Sequence, residues 1–204
     1  MTQTPHFEFL FDVGSPNSYF AHAVLPAIEA RTGIKATYSP VLLGGIFKAT
    51  NNQSPIAAFS EIPTKLNYFM REMERFTEKH AISFQLNPHF PVMTLHVMRG
   101  AVFAQATDYF ERYLDAIFHH MWVEPKKMDD PNVIASALNQ SGLPAAEIID
   151  GSQQPEVKQA LIKNTENAVE RGVFGAPSFF VGEELFFGKD SMRDVEEQIE
   201  KTKR

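Results

Sequence analysis

Hydrophobic residues first gather between His6 and Asp12, where Phe7, Phe9, Leu10 and Phe11 make a short stretch that reads as a buried strand. Ser15 and Pro16 follow. A serine is a favoured helix N-cap, and a proline costs nothing at the first helical position, where its missing N–H has no intrahelical partner anyway. The helix opened there is predicted to run to about Thr32, with Tyr19, Phe20, Ala23, Val24 and Ala27 on its apolar side and Gly33 ending it. Ile34 to Pro40 reads as a second strand. Leu42 to Ala49 then leads into a long stretch of helical period. Leu66, Phe69, Met70, Met73 and Phe76 recur at helical spacing, and a helix pair covers about Met93 to Val123. Asp130-Pro131 opens a helix that ends at Gly142, and Pro155 to Arg171 forms another, closed by Gly172. Ser178 to Val181 and Leu185 to Phe187 read as two strands of a hairpin turning at Gly182-Glu183-Glu184. Asp190 or Ser191 caps a terminal helix that reaches about Lys201.

Collected, the elements run βαβ, then a helical block, then ββα. This order predicts an α/β chain with a thioredoxin-like fold and a large all-helical domain inserted between its two halves. The expected boundaries are 1–44 and 172–204 for the thioredoxin-like part and 45–171 for the insertion. Two turns sharpen the prediction. Asp12-Val13-Gly14-Ser15-Pro16-Asn17-Ser18-Tyr19 links the first strand to the first helix, and Gly175-Ala176-Pro177-Ser178 precedes the third strand. In such a frame the first turn ordinarily carries Cys-x-x-Cys. Here it carries Ser-x-x-Ser, and the chain has no cysteine. Either a ligand brings the thiol, or the site is not a thiol site.

Composition narrows the alternatives. The chain has 204 residues, 44% of them hydrophobic, enough for a sizeable core. A net charge of −6 and a pI near 5.6 carry no nucleic-acid footprint. Without cysteine there are no disulfides, no thiolate metal ligands and no protein-borne thiol–disulfide exchange. No apolar stretch is long enough to span a membrane, Met1 to His6 lacks the pattern of a signal peptide, and the last residues, Lys201 to Arg204, are not a peroxisomal address. A cytoplasmic protein is therefore expected. The seven histidines show no metal-ligand spacing. His119 and His120 are adjacent and so are expected on different sides of their helix, and no metal is expected.

The chain resembles the kappa-class glutathione transferases and the bacterial 2-hydroxychromene-2-carboxylate isomerases. The resemblance rests on Asp12 to Tyr19, Leu43-Gly-Gly-Ile-Phe-Lys-Ala-Thr-Asn-Asn52, Lys65, Asn67 to Arg75, Pro88-His-Phe-Pro91, Arg99, Gly172 to Phe179 and Phe187-Gly-Lys-Asp190. It implies a homodimer that binds glutathione, places its sulfur beside Ser15, and acts on a small aromatic substrate. It assigns Asn52 (with Asn51 as the neighbouring alternative) and Lys65 to the glutathione backbone and glycyl carboxylate. It assigns Asp190 to the γ-glutamyl end, where an arginine commonly follows and this chain has Ser191.

The chemistry of these residues suits the assignment. A helix N-terminus presents unpaired N–H groups and a partial positive charge, which stabilise a thiolate, and the Ser15 hydroxyl has one further hydrogen bond to give. Serine has no base beside it, so its expected role is to position the thiolate and not to attack. Ala176, with its carbonyl and N–H, offers pairing to an extended peptide-like ligand if the bond to Pro177 is cis; the residues fit either isomer. Each position also has a plain structural reading: Ser15 and Asp190 as caps, Asn51-Asn52 as a turn, Lys65 as a solvated helix residue. Asp12 is expected to orient the turn, and Phe47, Phe90 and Met93 to form an apolar wall for a co-substrate. Three functions follow: a glutathione-dependent isomerase, a kappa-type transferase or peroxidase, and a redox-silent thioredoxin-like module that binds extended peptides.

Overall fold

The computed structural model describes residues 6–203. Of the terminal readings, the one on Met1 to Pro5 and the one on Arg204 lie outside the described residues. A four-stranded sheet in the order β2-β1-β3-β4 is built from β1 (Phe7–Phe11), β2 (Thr37–Pro40), β3 (Ser178–Val181) and β4 (Glu184–Phe187). β1 pairs parallel to β2, with Phe9 opposite Tyr38, and antiparallel to β3, with Phe9 opposite Phe179. α1 (Pro16–Thr32) crosses between β1 and β2, and α10 (Met192–Thr202) follows the β3–β4 hairpin. Between β2 and β3 come α2 (Leu43–Thr50), α3 (Pro55–Phe59), α4 (Pro63–His80), α5 (Leu95–Ala104), α6 (Phe110–Trp122), α7 (Pro131–Gln140), α8 (Ala145–Gly151) and α9 (Pro155–Glu170).

Side chains alternate across β1 and so divide the interior. Phe7, Phe9 and Phe11 enter a core shared with Leu25 and Ile28 of α1, Val195 and Ile199 of α10, and Phe118 and Trp122 of α6. Leu10 turns the other way, toward Val41, Ile46, Ala168 and Phe180. Glu8 shares the Leu10 face, is only 9% exposed, and is satisfied there. Ser39 Oγ donates to it at 2.6 Å and Arg171 Nη1 at 2.7 Å, while the Arg171 guanidinium lies 3.6 Å from the Phe180 ring centroid.

Local expectations hold at both ends of α1. Ser15 is its N-cap and Gly33, in the left-handed region at φ 69°, its C-cap. The buried face differs from the expected one: Phe20, Ala21, Leu25 and Ile28 point inward, whereas Ala23 and Ala27 are exposed and Tyr19 and Val24 only half-buried. Apolar residues surround this helix, and the sheet takes the side that buries Leu25 and Ile28 instead of two alanines. β2 starts at Thr37, later than expected, because the Ala36 N–H donates to Glu29 Oε1 at 2.9 Å and not to a strand neighbour. Sequence periodicity misses the short helices α3 and α8, whose 5 and 7 residues hold too few turns to show a period. Among the described residues, no helix is long and apolar enough to cross a membrane.

Candidate active site

The turn between β1 and α1 meets the loop before β3 at one hydrogen bond. Ser15 Oγ donates to Ala176 O at 2.9 Å and accepts from Ser18 N at 3.2 Å, so the cap residue joins the helix start to the strand start. The Ala176–Pro177 bond is cis. Both residues are buried, as is Ser15.

Asp12 fixes this turn from behind. Its Oδ1 accepts from Gly14 N at 2.9 Å, and its Oδ2 accepts from Leu43 N at 2.8 Å and Thr94 Oγ1 at 3.1 Å. One carboxylate thereby ties the turn to the starts of α2 and α5. Burial raises the Asp12 pKa above the ordinary carboxylate value, against the downward pull of those bonds. Gly14 has no room for a side chain, since a Cβ there would stand 2.8 Å from Thr94 Cγ2. A second brace comes from α6, where Trp122 Nε1 donates to Val13 O at 2.8 Å.

In front of the turn lies a cavity of about 270 Å³. Ser15, Pro16, Asn17, Asn52, Gly175 and Ala176 line its polar side, and Phe47, Phe59, Phe69, Phe90, Phe174 and Phe187 its apolar side. Phe174 and Phe187 pack with ring centroids 4.4 Å apart while each stays more than 40% exposed, so they form an aromatic rim. Asn17 Oδ1 is buried with no hydrogen-bond partner among the described residues. A larger cavity of about 640 Å³ lies between α2, α5 and α9, but no residue singled out for glutathione lines it, and the start of α1 does not reach it.

The expected site residues thus separate into two groups. Ser15, Asn52 and Ala176 share the cavity, with Pro177 adjoining it. Asn51 is the left-handed C-cap of α2, whereas Asn52 Nδ2 donates to Phe174 O at 2.9 Å and holds the loop after α2 against the rim. Lys65 does not line the cavity; its Nζ rests 4.1 Å from the Phe59 ring centroid. Asp190 lines a separate pocket of about 210 Å³ and accepts from Lys189 Nζ at 2.9 Å. Ser191 Oγ donates to Gly188 O at 2.8 Å, and Ser191 stands at the α10 N-cap position without a side-chain capping bond. Of the expected apolar wall, Phe47 and Phe90 line the cavity and Met93 does not, being 66% exposed. The rim pair Phe174 and Phe187 and the Asn17 amide are not evident from sequence. Phe174 beside Gly175 is the available sign for the rim, and Asn17 lies within the Asp12 to Tyr19 turn without a sign of its role.

Comparison with known proteins agrees with this fold. A 2-hydroxychromene-2-carboxylate isomerase of Sphingobium xenophagum is 28% identical over 98% of this chain and 99% of its own length. Glutathione S-transferase kappa 1 of Caenorhabditis elegans is 26% identical over 93% of this chain and 88% of its own. In the solved structures, a 2-hydroxychromene-2-carboxylate isomerase superposes with a TM-score of 0.82 at 22% identity, covering 96% of this chain and 94% of that one. The family model of the DsbA-like thioredoxin domain matches residues 7–200, and the chain belongs to that family.

Proposed function

We propose that this chain is a glutathione-dependent isomerase of the 2-hydroxychromene-2-carboxylate type. The observation that carries the reading is a cysteine-free thioredoxin-like turn whose Ser15 opens on an aromatic-lined cavity. The similarity to isomerases and kappa transferases along nearly the whole chain supports it. Bound glutathione supplies a thiolate for reversible addition to a conjugated aromatic substrate. The start of α1 lowers the pKa of that thiol through its partial charge and the N–H groups of its first turn. A shift of about 2 units needs about 2.7 kcal/mol, within reach of a helix terminus and one charge-assisted hydrogen bond.

Ser15 must redirect its hydrogen to serve this role. The hydroxyl now donates to the neutral Ala176 carbonyl, and a thiolate is the stronger acceptor. An amide N–H of an extended ligand then takes the vacated place on Ala176 O. Asn17 Oδ1, buried and unpaired among the described residues, fits a ligand donor on the same side. Lys65 keeps ammonium donors free beside the Phe59 ring for a carboxylate, and the largely exposed Asp190 carboxylate keeps acceptor sites for a second ammonium beside Lys189. Both roles belong to the proposal, as does Ser191 in place of the usual arginine. So do the small aromatic substrate, a homodimer and a cytoplasmic setting.

Adding glutathione and 2-hydroxychromene-2-carboxylate to the protein tests the reading. The expected result is repeated turnover with no loss of free glutathione. Ser15→Ala removes the hydrogen bond and leaves the helix terminus, so it should lower kcat/KM about 10-fold, the share of one charge-assisted bond at about 1.5 kcal/mol, and raise the pKa of the bound thiol read from its thiolate absorbance. Stoichiometric adduct formation moves the assignment to a kappa-type transferase. No glutathione binding at millimolar concentration by calorimetry removes both and leaves the peptide-binding module.

A further inference from the structure

A separate part of the molecule carries another site. α6 ends at Trp122, and the chain folds back over that end: Val123 N and Glu124 N donate to His119 O at 2.8 and 2.9 Å, and Lys126 N donates to His120 O at 2.8 Å. Asn87 holds the hook from outside, its Nδ2 donating to Met121 O at 3.1 Å and Lys126 O at 3.0 Å. His119 and His120 differ in exposure and partners, as their adjacency on a helix implied, yet their rings stay in contact. Their rings stand edge to face with centroids 5.1 Å apart. The hook brings Glu124 Oε2 to 3.4 Å from His119 Nε2. One nitrogen from each ring and one Glu124 carboxylate oxygen lie within 4.8 Å of one another.

His120 supplies an independent sign. It is only 2% exposed, its Nε2 meets Ser141 Oγ at 3.1 Å, and its Nδ1 is buried with no partner among the described residues. With the ring proton on Nε2 and donated to Ser141, the Nδ1 lone pair is left without a donor. Buried polar atoms are rarely left so, and a ligating histidine commonly has its second nitrogen fixed by such a hydrogen bond.

We propose that His119, His120 and Glu124 bind a divalent cation of the zinc type. Two imidazole nitrogens with one carboxylate suit Zn²⁺, whereas Ca²⁺ and Mg²⁺ prefer all-oxygen shells, and the absence of thiolate disfavours softer ions. Three protein ligands leave a fourth position for water. The end of a helix, with its partial negative charge, adds to the attraction. The ion would clamp the hook to the end of α6, beside Trp122, which braces the Val13 carbonyl.

The test uses the full chain without a polyhistidine tag, stripped with chelator, in glutathione-free buffer. Titration calorimetry with Zn²⁺ should give one ion per chain, and Co²⁺ should give the visible bands of a tetrahedral site. His119 and Glu124 side chains are 41% and 59% exposed, so His119→Gln and Glu124→Gln should fold normally, as circular dichroism would verify. Each should weaken Zn²⁺ binding by more than about 10-fold, and Ser141→Ala by about 10-fold, the low end for a group that only orients a ligand. Binding by both glutamine variants with wild-type affinity, or no binding to the wild type at about 100 µM Zn²⁺, overturns the site.

Discussion

Replacing Asp12 by alanine should cost the protein about 3–5 kcal/mol of stability, since it strands several buried donors at about 1–3 kcal/mol each, with partial relief by water. Those donors are the N–H groups of Gly14 and Leu43 and the hydroxyl of Thr94. Asp12→Asn should cost less. It keeps one acceptor oxygen and removes a charge whose burial is unfavourable, the same burial that raises the carboxyl pKa, although its NH2 then faces a donor. Urea unfolding of the three proteins gives the ranking directly. A loss below about 1 kcal/mol for alanine would show that this carboxylate does not anchor the turn. On the proposed function, glutathione should bind the alanine variant more weakly even where it stays folded, because the cap residue Ser15 hangs from the same turn.

Gly100→Ala carries the other large effect. In an exposed helix this exchange gains about 1 kcal/mol from propensity. In α5 a Cβ at Gly100 would stand 2.2 Å from Tyr113 Oη and 2.9 Å from its Cζ. Tyr113 is 1% exposed and donates to Val97 O at 2.7 Å, so it has nowhere to go without giving up that bond. We expect a loss of about 2–4 kcal/mol from overpacking and a broken buried hydrogen bond, or a Tm lower by about 5–15 °C. Gly44→Ala is the matched control. Gly44 is an exposed residue of α2 with nothing within 4 Å of the place a Cβ would take, and the exchange should be neutral or stabilising. Equal effects at the two positions would refute the packing argument.

What can be read along the chain is mostly what is decided locally. Ser15-Pro16 starting a helix, Gly33 ending it, and Asp130 capping α7 depend on a few neighbouring residues, and all three are legible. The buried apolar run of β1 and the Gly182 hairpin are legible for the same reason. The side of α1 that meets the sheet is not, because several faces are apolar and distant packing chooses among them. The site divides in the same manner. Ser15 and Ala176 belong to turns with local signatures, and Asn52 lines the same cavity. Asp190 reads from sequence as a helix cap, or by resemblance as the holder of a γ-glutamyl end. In the fold it is engaged by Lys189, a lysine only 2% exposed that also pairs with Glu72 of α4 and lies 4.9 Å from the Phe76 ring centroid. Nothing in Gly188-Lys189-Asp190 announces that a helix more than a hundred residues earlier will bury its lysine.

The anchors of the Ser15 turn come from Asp12, Thr94 and Trp122, while the faces that would meet a co-substrate belong to Phe59, Phe69, Phe174 and Phe187. Load and recognition are therefore carried by largely different side chains. In the proposed reaction, exchanges at Phe69 would change which molecule is accepted while the bonds from Asp12 and Trp122 still hold the Ser15 turn. Phe59, Phe174 and Phe187 also touch Lys65, Asn52 and Gly175, so changes there would reach both tasks.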